Sequence, residues 1–136
     1  MKLKILTTVA LVATLGFATP TILSPSPSFA QVYTGFRVKT DQKFTVRLIN
    51  EAGKPIQYGL SQNLSKILAS GQSTDLPFSQ IKTGAVNILI YTLDGTPLGF
   101  KGNFDAEKNE LTVNIYSGGA GHKSISIGTN GVVELI

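Results

Sequence analysis

Apolar residues recur at every second position along most of this chain, and that regularity confines it to β structure. Phe36 and Val38 alternate with Arg37 and Lys39; Phe44, Val46 and Leu48 alternate with Thr45 and Arg47; Ile56, Tyr58 and Leu60 alternate with Gln57, Gly59 and Ser61. Successive side chains of an extended backbone point to opposite faces, so each run reads as a strand with one dry face and one wet face. Leu111, Val113 and Ile115 repeat the pattern, as do Ile125 and Ile127, and residues 132–136 close the chain with another apolar run. Residues 86–93 differ. Val86, Ile88 and Ile90 face one way and Leu89 and Tyr91 the other, with Asn87 the only polar side chain between them, so this strand belongs mid-sheet.

Turn residues stand between the runs. Glu51-Ala52-Gly53-Lys54-Pro55, Asp94-Gly95, residues 105–109, Gly118-Gly119-Ala120-Gly121 and Thr129-Asn130-Gly131 supply the positive φ and local side-chain hydrogen bonds that tight connections need. From Ala85 onward the chain is expected to run as a meander of hairpins. Only residues 61–67 offer a place to coil, for a turn or two. Eight or nine short strands at about ten-residue spacing, with no helical period between them, predict an all-β antiparallel sandwich or small barrel, the sandwich being the reading adopted, and argue against any βαβ unit.

The first thirty residues obey a different rule. Met1-Lys2-Leu3-Lys4 precedes an apolar run over residues 5–18, and Ser28-Phe29-Ala30 ends the segment with small residues, the layout of a secretory signal with cleavage expected after Ala30. The apolar run falls short of the roughly 20 residues of a spanning helix, and Pro20, Pro25 and Pro27 interrupt the stretch beyond it. The expected organisation is a signal peptide over residues 1–30 and a single sandwich domain over 31–136, secreted or periplasmic. Without Lys2 and Lys4 the 10 remaining cations exceed the 8 acids by two, so the net charge falls from +4 to +2.

Two segments carry a resemblance. Phe44-Thr-Val-Arg-Leu-Ile-Asn50, followed by Gly53-Lys-Pro-Ile-Gln-Tyr58 and Ile67-Leu-Ala-Ser-Gly-Gln-Ser-Thr-Asp-Leu-Pro77, looks like an immunoglobulin-like strand order. The tail, with Leu111-Thr-Val-Asn-Ile115, Ser124-Ile-Ser-Ile127 and Asn130-Gly-Val-Val133, is similar to the ends of small secreted β-proteins of cyanobacterial type, a group with no assigned activity. The resemblance implies a fold and a compartment and transfers no functional residue.

Composition excludes whole classes of chemistry. With no cysteine there is no thiol nucleophile, zinc-thiolate site, iron–sulfur cluster, disulfide or lipidated N-terminus, and Met1 leaves with the signal, which removes thioether copper. A Ser-His-acid hydrolase has to use His122, the sole imidazole, and no serine sits in a Gly-x-Ser-x-Gly elbow, so neither catalysis nor a cofactor is expected. At the end of its glycine loop His122 is expected to be exposed. The loop continues into Lys123-Ser124 like a phosphate loop, but His122 stands where the preceding glycine belongs and no helix comes after it. Asp105, Glu107 and Glu110 gather oxygen ligands, yet Glu110 and Tyr116 occupy the EF-hand positions of glycine and glutamate, and Lys108 opposes a cation; no metal site is expected, and the stretch reads as a solvated turn.

Binding is the remaining option. Tyr33, Tyr91 and Tyr116 lie out of phase with the apolar stripes of their segments, and Tyr91 and Tyr116 are expected to share one sheet face, as in sugar-binding sandwiches. His122 and Lys123 are the polar tips of an adaptable loop. Arg37, Lys39 and Arg47 are expected to line two adjacent strands as a stripe for an anionic polymer. These readings predict a non-catalytic, envelope-associated binding or structural module. Its expected partner is an envelope polysaccharide or another envelope protein, with no role for nucleic acid and no membrane insertion after signal cleavage. An assembly protein pairing through a strand edge is the alternative, because the uncharged apolar run of residues 86–93 self-associates if exposed.

Overall fold

The computed structural model describes residues 32–60, 63–81 and 84–136, with backbone alone at 32, 33 and 63–65. The expected signal segment lies outside the described residues. Those residues contain no helix and form ten strands: β1 (Val32–Arg37), β2 (Phe44–Asn50), β3 (Ile56–Leu60), β4 (Asn63–Leu68), β5 (Ser73–Phe78), β6 (Val86–Thr92), β7 (Leu98–Asp105), β8 (Glu110–Ser117), β9 (Ser124–Ile127) and β10 (Val132–Leu135). One sheet has six strands in the order β1-β10-β9-β6-β3-β4, the other four in the order β5-β2-β8-β7. Every pairing is antiparallel except β2 with β8, which run parallel in the middle of the smaller sheet. Inward residues from both sheets form one apolar core, an arrangement consistent with a β-sandwich.

The alternation read from sequence is the alternation of burial. Phe44, Val46, Leu48 and Asn50 point inward on β2, Leu111, Val113 and Ile115 on β8, and Ile125 and Ile127 on β9. Strand β6 lies between β9 and β3, mid-sheet as its two apolar faces predicted. Its Ile88 and Ile90 are wholly buried, while Tyr91 stands on the outer face.

Three expectations change. The stretch read as a possible coil supplies β4, because pairing with β3 outweighs any local preference, and the strand count rises to ten. The chain from Ala85 onward is not a continuous meander: β6 and β7 belong to different sheets, as do β8 and β9, and only β7-β8 and β9-β10 are hairpins. Strand alternation looks the same whichever sheet a strand joins, so periodicity could not separate a hairpin from a crossing. The cations Arg37 and Arg47 lie on β1 and β2, which also belong to different sheets, so with Lys39 in the loop between them they form no common stripe. Arg47 is further engaged by Asp75, its cross-strand partner, at 2.7 Å and by Glu110 at 3.5 Å.

Two buried asparagines hold the ends of the parallel pair. Asn50, at the end of β2, donates through Nδ2 to the carbonyls of Lys54 (2.8 Å) and Leu68 (2.9 Å), and its Oδ1 accepts from the Ala52 N–H (2.9 Å). Asn109, before β8, has φ +53° and binds the backbone of Lys39 and Lys43. Because β2 and β8 are parallel, their starts lie at one end of the sheet and their finishes at the other, which gives each asparagine two connections to join.

Candidate ligand-binding site

Two crossings between the sheets meet beside the start of β7. The first leaves β6 at Thr92, where the Asp94-Gly95 turn needs the +79° φ of Gly95. Asp94 Oδ1 accepts from the Thr96 N–H (3.0 Å) and hydroxyl (2.7 Å), and Thr92 Oγ1 donates to the Thr96 carbonyl (2.9 Å). Lys54 Nζ, from the connection before β3, donates to Asp94 Oδ2 and Thr96 Oγ1, both at 2.9 Å. The hydroxyl of Thr96 and the ammonium of Lys54 hold the Asp94 carboxyl well below the usual carboxylate range, so this turn stays ionised and braced.

The second crossing is the glycine loop between β8 and β9. Its composition predicts an adaptable hairpin loop with polar tips, and instead it is fastened to β7. The Gly118 N–H donates to the Pro97 carbonyl (2.8 Å) and the His122 N–H to the Leu98 carbonyl (2.7 Å). Gly119 passes so close to Gly99 that a β-carbon on it would stand 2.9 Å from the Gly99 Cα. The expected exposure of His122 is also overturned: only 8% of its surface remains accessible. Its Nδ1 accepts from the Phe100 N–H at 2.9 Å, and its ring lies 5.2 Å from the Phe100 ring. His122 thus occupies the place of a neighbouring strand against the β7 edge, its backbone N–H and ring nitrogen serving as donor and acceptor. Accepting at Nδ1 puts the proton of the neutral ring on Nε2, which is buried and has no hydrogen-bond partner. Burial penalises the charged form and holds the imidazole below its ordinary pKa.

Between the two crossings opens a cleft of about 490 Å³ with Ile90, Pro97 and Leu98 among its apolar lining, and Tyr91, His122 and Lys123 beside them. Its size lies within the roughly 300–1,000 Å³ usual for small-molecule sites. Three of the four expected ligand contacts therefore converge. Tyr116 does not join them. It stands on the outer face of the smaller sheet, its ring lying over Gly99, beside a separate depression of about 440 Å³ shared with Glu51, Lys101, Asn103 and Asn114. Tyr91 and Tyr116 thus occupy different sheets rather than one face, and the side chain of Tyr33 lies outside the described residues.

The carboxylate turn is used by its own backbone. Asp105 Oδ1 accepts from the N–H groups of Glu107 (3.0 Å) and Lys108 (3.1 Å), and Glu110 turns toward Arg47. Among the described residues no three His, Asp or Glu side chains gather where a metal ion could be held. Sequence reasoning missed Thr92, Thr96 and Lys54, which shape and brace the cleft; the Asp-Gly-Thr-Pro run marks a turn, but nothing local shows that Lys54 reaches it. Comparison with protein-family models, curated proteins and solved structures finds no match.

Proposed function

We propose that this protein is a non-catalytic binding module of the cell envelope, secreted or periplasmic, which takes a segment of an envelope polysaccharide in the cleft between the β6-β7 and β8-β9 crossings. One observation carries the reading: the end of β6 with the β6-β7 turn that follows it, and the glycine loop distant from them in sequence, place an exposed tyrosine, a cation and a buried imidazole around one apolar-lined cleft. Sugar-binding surfaces need this mixture, because a sugar ring offers an apolar C–H face and a polar edge. The compartment rests on the signal-like segment at residues 1–30. Binding is favoured over hydrolysis because His122 already spends Nδ1 on the Phe100 N–H, which removes its capacity to act there as a base.

An immunoglobulin-like class is part of this proposal at the level of architecture, two sheets around one core with crossings between them. The parallel β2-β8 pair departs from the seven-strand, all-antiparallel arrangement of that class. The strand-edge assembly reading draws less support. The apolar strand β6 is interior, β1 is bulged around Gly35, β5 carries Pro77, and the start of β7 is covered by His122.

A glycan array probed with the full chain, followed by amide-shift mapping of each hit, tests the reading. Shifts are expected at Tyr91, Thr96, Gly121 and Lys123. If neutral and anionic envelope glycans all leave those amides unmoved, the proposal is lost; self-association in sedimentation with silent glycans would favour edge assembly instead.

A further inference from the structure

We infer that the depression on the outer face of the β7-β8 hairpin is a second ligand site, independent of the cleft. It receives one neutral hexose unit of a glycan, stacked on Tyr116 and hydrogen-bonded by Lys101, Asn103 and Glu51. A glycine makes the platform. Gly99 and Tyr116 are cross-strand partners, and a β-carbon at Gly99 would stand 2.6 Å from two atoms of the Tyr116 ring and 2.9 Å from its hydroxyl. The ring therefore runs from β8 across to β7 along the sheet, in the space a side chain at Gly99 would fill. Gly119 passes on the same ring edge, 3.3 Å from where its own β-carbon would lie. With 38% of its surface accessible, Tyr116 presents a ring to water close above the strands, a surface that suits the apolar C–H face of a pyranose.

The polar groups around this ring are uncommitted. Lys101 is the cross-strand partner of Asn114, and Asn103 stands two residues further on the same face of β7. Both are exposed, and among the described residues neither side chain donates to a protein atom. Glu51, from the connection after β2, accepts from Asn114 Nδ2 through Oε2 at 3.0 Å, which fixes the carboxylate at the rim and leaves Oε1 as an acceptor. The depression thus offers the three N–H of Lys101, the amide of Asn103, an oxygen of Glu51 and the Tyr116 hydroxyl, which gives or takes a hydrogen bond.

The charges decide the ligand class. Lys101 and Glu51 are the two charged side chains of the lining and they balance, so an anion drawn to the ammonium also meets the carboxylate, and a cation meets the reverse. Neutral hydroxyls use both groups at once, since each donates one hydrogen and accepts through two lone pairs. A small zwitterion such as glycine matches both charges and offers nothing to the ring. A neutral hexose addresses all of them, and a depression of about 440 Å³ has room for one pyranose.

Amide-shift titration of the full chain with neutral tetramers of glucose, galactose and mannose, a galacturonic acid tetramer, and glycine tests this. Concentrations up to about 10 mM fill even a site of millimolar Kd. At least one neutral tetramer is expected to shift Lys101, Asn103, Asn114 and Tyr116, with an affinity that added salt leaves unchanged. Tyr116→Ala and Lys101→Met should each weaken that binding about tenfold, the first by removing the platform and the second a charged donor. Gly99→Ala displaces the ring without altering a lining side chain, and should weaken binding about fivefold. Asn103→Ala, at an exposed strand position, should cost about fivefold and replaces any of these variants that fails to fold.

If every neutral tetramer leaves those four amides unmoved, the second site is overturned, whereas the cleft reading is decided separately at Tyr91, Thr96, Gly121 and Lys123. Tighter binding at the depression by the acidic tetramer or by glycine overturns the neutral-sugar class. Sugar binding that Tyr116→Ala and Gly99→Ala both leave intact overturns the stacked arrangement.

Discussion

Lys39 and Asn109, 70 residues apart, grip each other twice: the Lys39 N–H donates to Asn109 Oδ1, and Asn109 Nδ2 donates to the Lys39 carbonyl, both at 2.9 Å. A third bond runs from Nδ2 to the Lys43 carbonyl at 2.9 Å, and the Asn109 carbonyl accepts from the Thr45 N–H at 3.2 Å. One side chain thus satisfies the loop entering β2 from the turn entering β8. Asparagine suits the position twice over, since its amide both donates and accepts and its backbone tolerates the left-handed φ of +53°.

Asn109→Gly keeps that φ and deletes the clamp, and is expected to lower stability by roughly 2–4 kcal/mol, the sum of three modest hydrogen bonds and the groups they leave behind. Asn109→Ala should lose about 1 kcal/mol more, because alanine also resists the left-handed region. Urea denaturation of the two variants checks both numbers; a glycine variant as stable as the parent removes the clamp from the account of the fold.

Asn50→Asp preserves shape and inverts chemistry. The donor now facing the Lys54 and Leu68 carbonyls becomes an acceptor in a fully buried position, at a cost of about 3 kcal/mol or more. Thermal unfolding should show a large drop, with Asn50→Ser less affected because the smaller side chain leaves room for water. Equal melting temperatures for the parent and the Asp variant would contradict the assigned bonds.

His122 makes stability depend on pH in a stated direction. The unfolded imidazole titrates near pH 6.5 and the folded one lower, because burial resists the charged form, so below about pH 6.5 the unfolded chain binds more protons and stability falls. The loss continues until the pH passes the folded value. In a His122→Asn variant this component should vanish, leaving only carboxylate titration at lower pH. Urea midpoints measured at half-unit steps from pH 7.5 to 5 separate the two chains, and identical profiles would show that His122 titrates in the folded protein as it does when unfolded.

Glycine substitutions should divide by what they meet. At Gly131, with φ +85°, a β-carbon collides with the Val38 carbonyl on the backbone, and Gly131→Ala is expected to cost about 3 kcal/mol or more by strain and clash. At Gly99 the collision at 2.6 Å is with the tip of the Tyr116 ring, half-exposed and free to rotate away. Gly99→Ala should therefore cost no more than about 1 kcal/mol and should move the Tyr116 ring resonances. Comparable losses at the two positions would refute this distinction.

Strand positions and buried faces were legible because burial has the same period as the sequence; Ile88, Ile90, Leu111, Val113 and Ile115 could be placed inward from alternation alone. Sheet membership was not. The Asp94-Gly95 turn has the residues of a hairpin and makes a crossing, since local turn chemistry fixes φ and leaves the partner strand to long-range packing. The cleft was half legible. Tyr91 announced itself by standing out of phase, whereas the glycine-rich flank of His122 points to solvent, where such loops usually lie. Its burial follows from the close pass of Gly119 over Gly99, a contact between two positions that carry no side chain to read.

The central parallel pair also sets the order in which this protein can be made. Strand β2 is complete at residue 50, but its partner β8 begins only at residue 110, and the partner of β1 only at residue 132. Contacts this distant require loop closure before they return any buried surface, which slows folding and leaves early strands open to wrong partners. A nascent chain of this kind can pair β2 with β5 and β3 with β4 and β6 early, but the parallel pair and the β1 edge wait for the later strands, and removing the last few residues strips β1 of its partner β10.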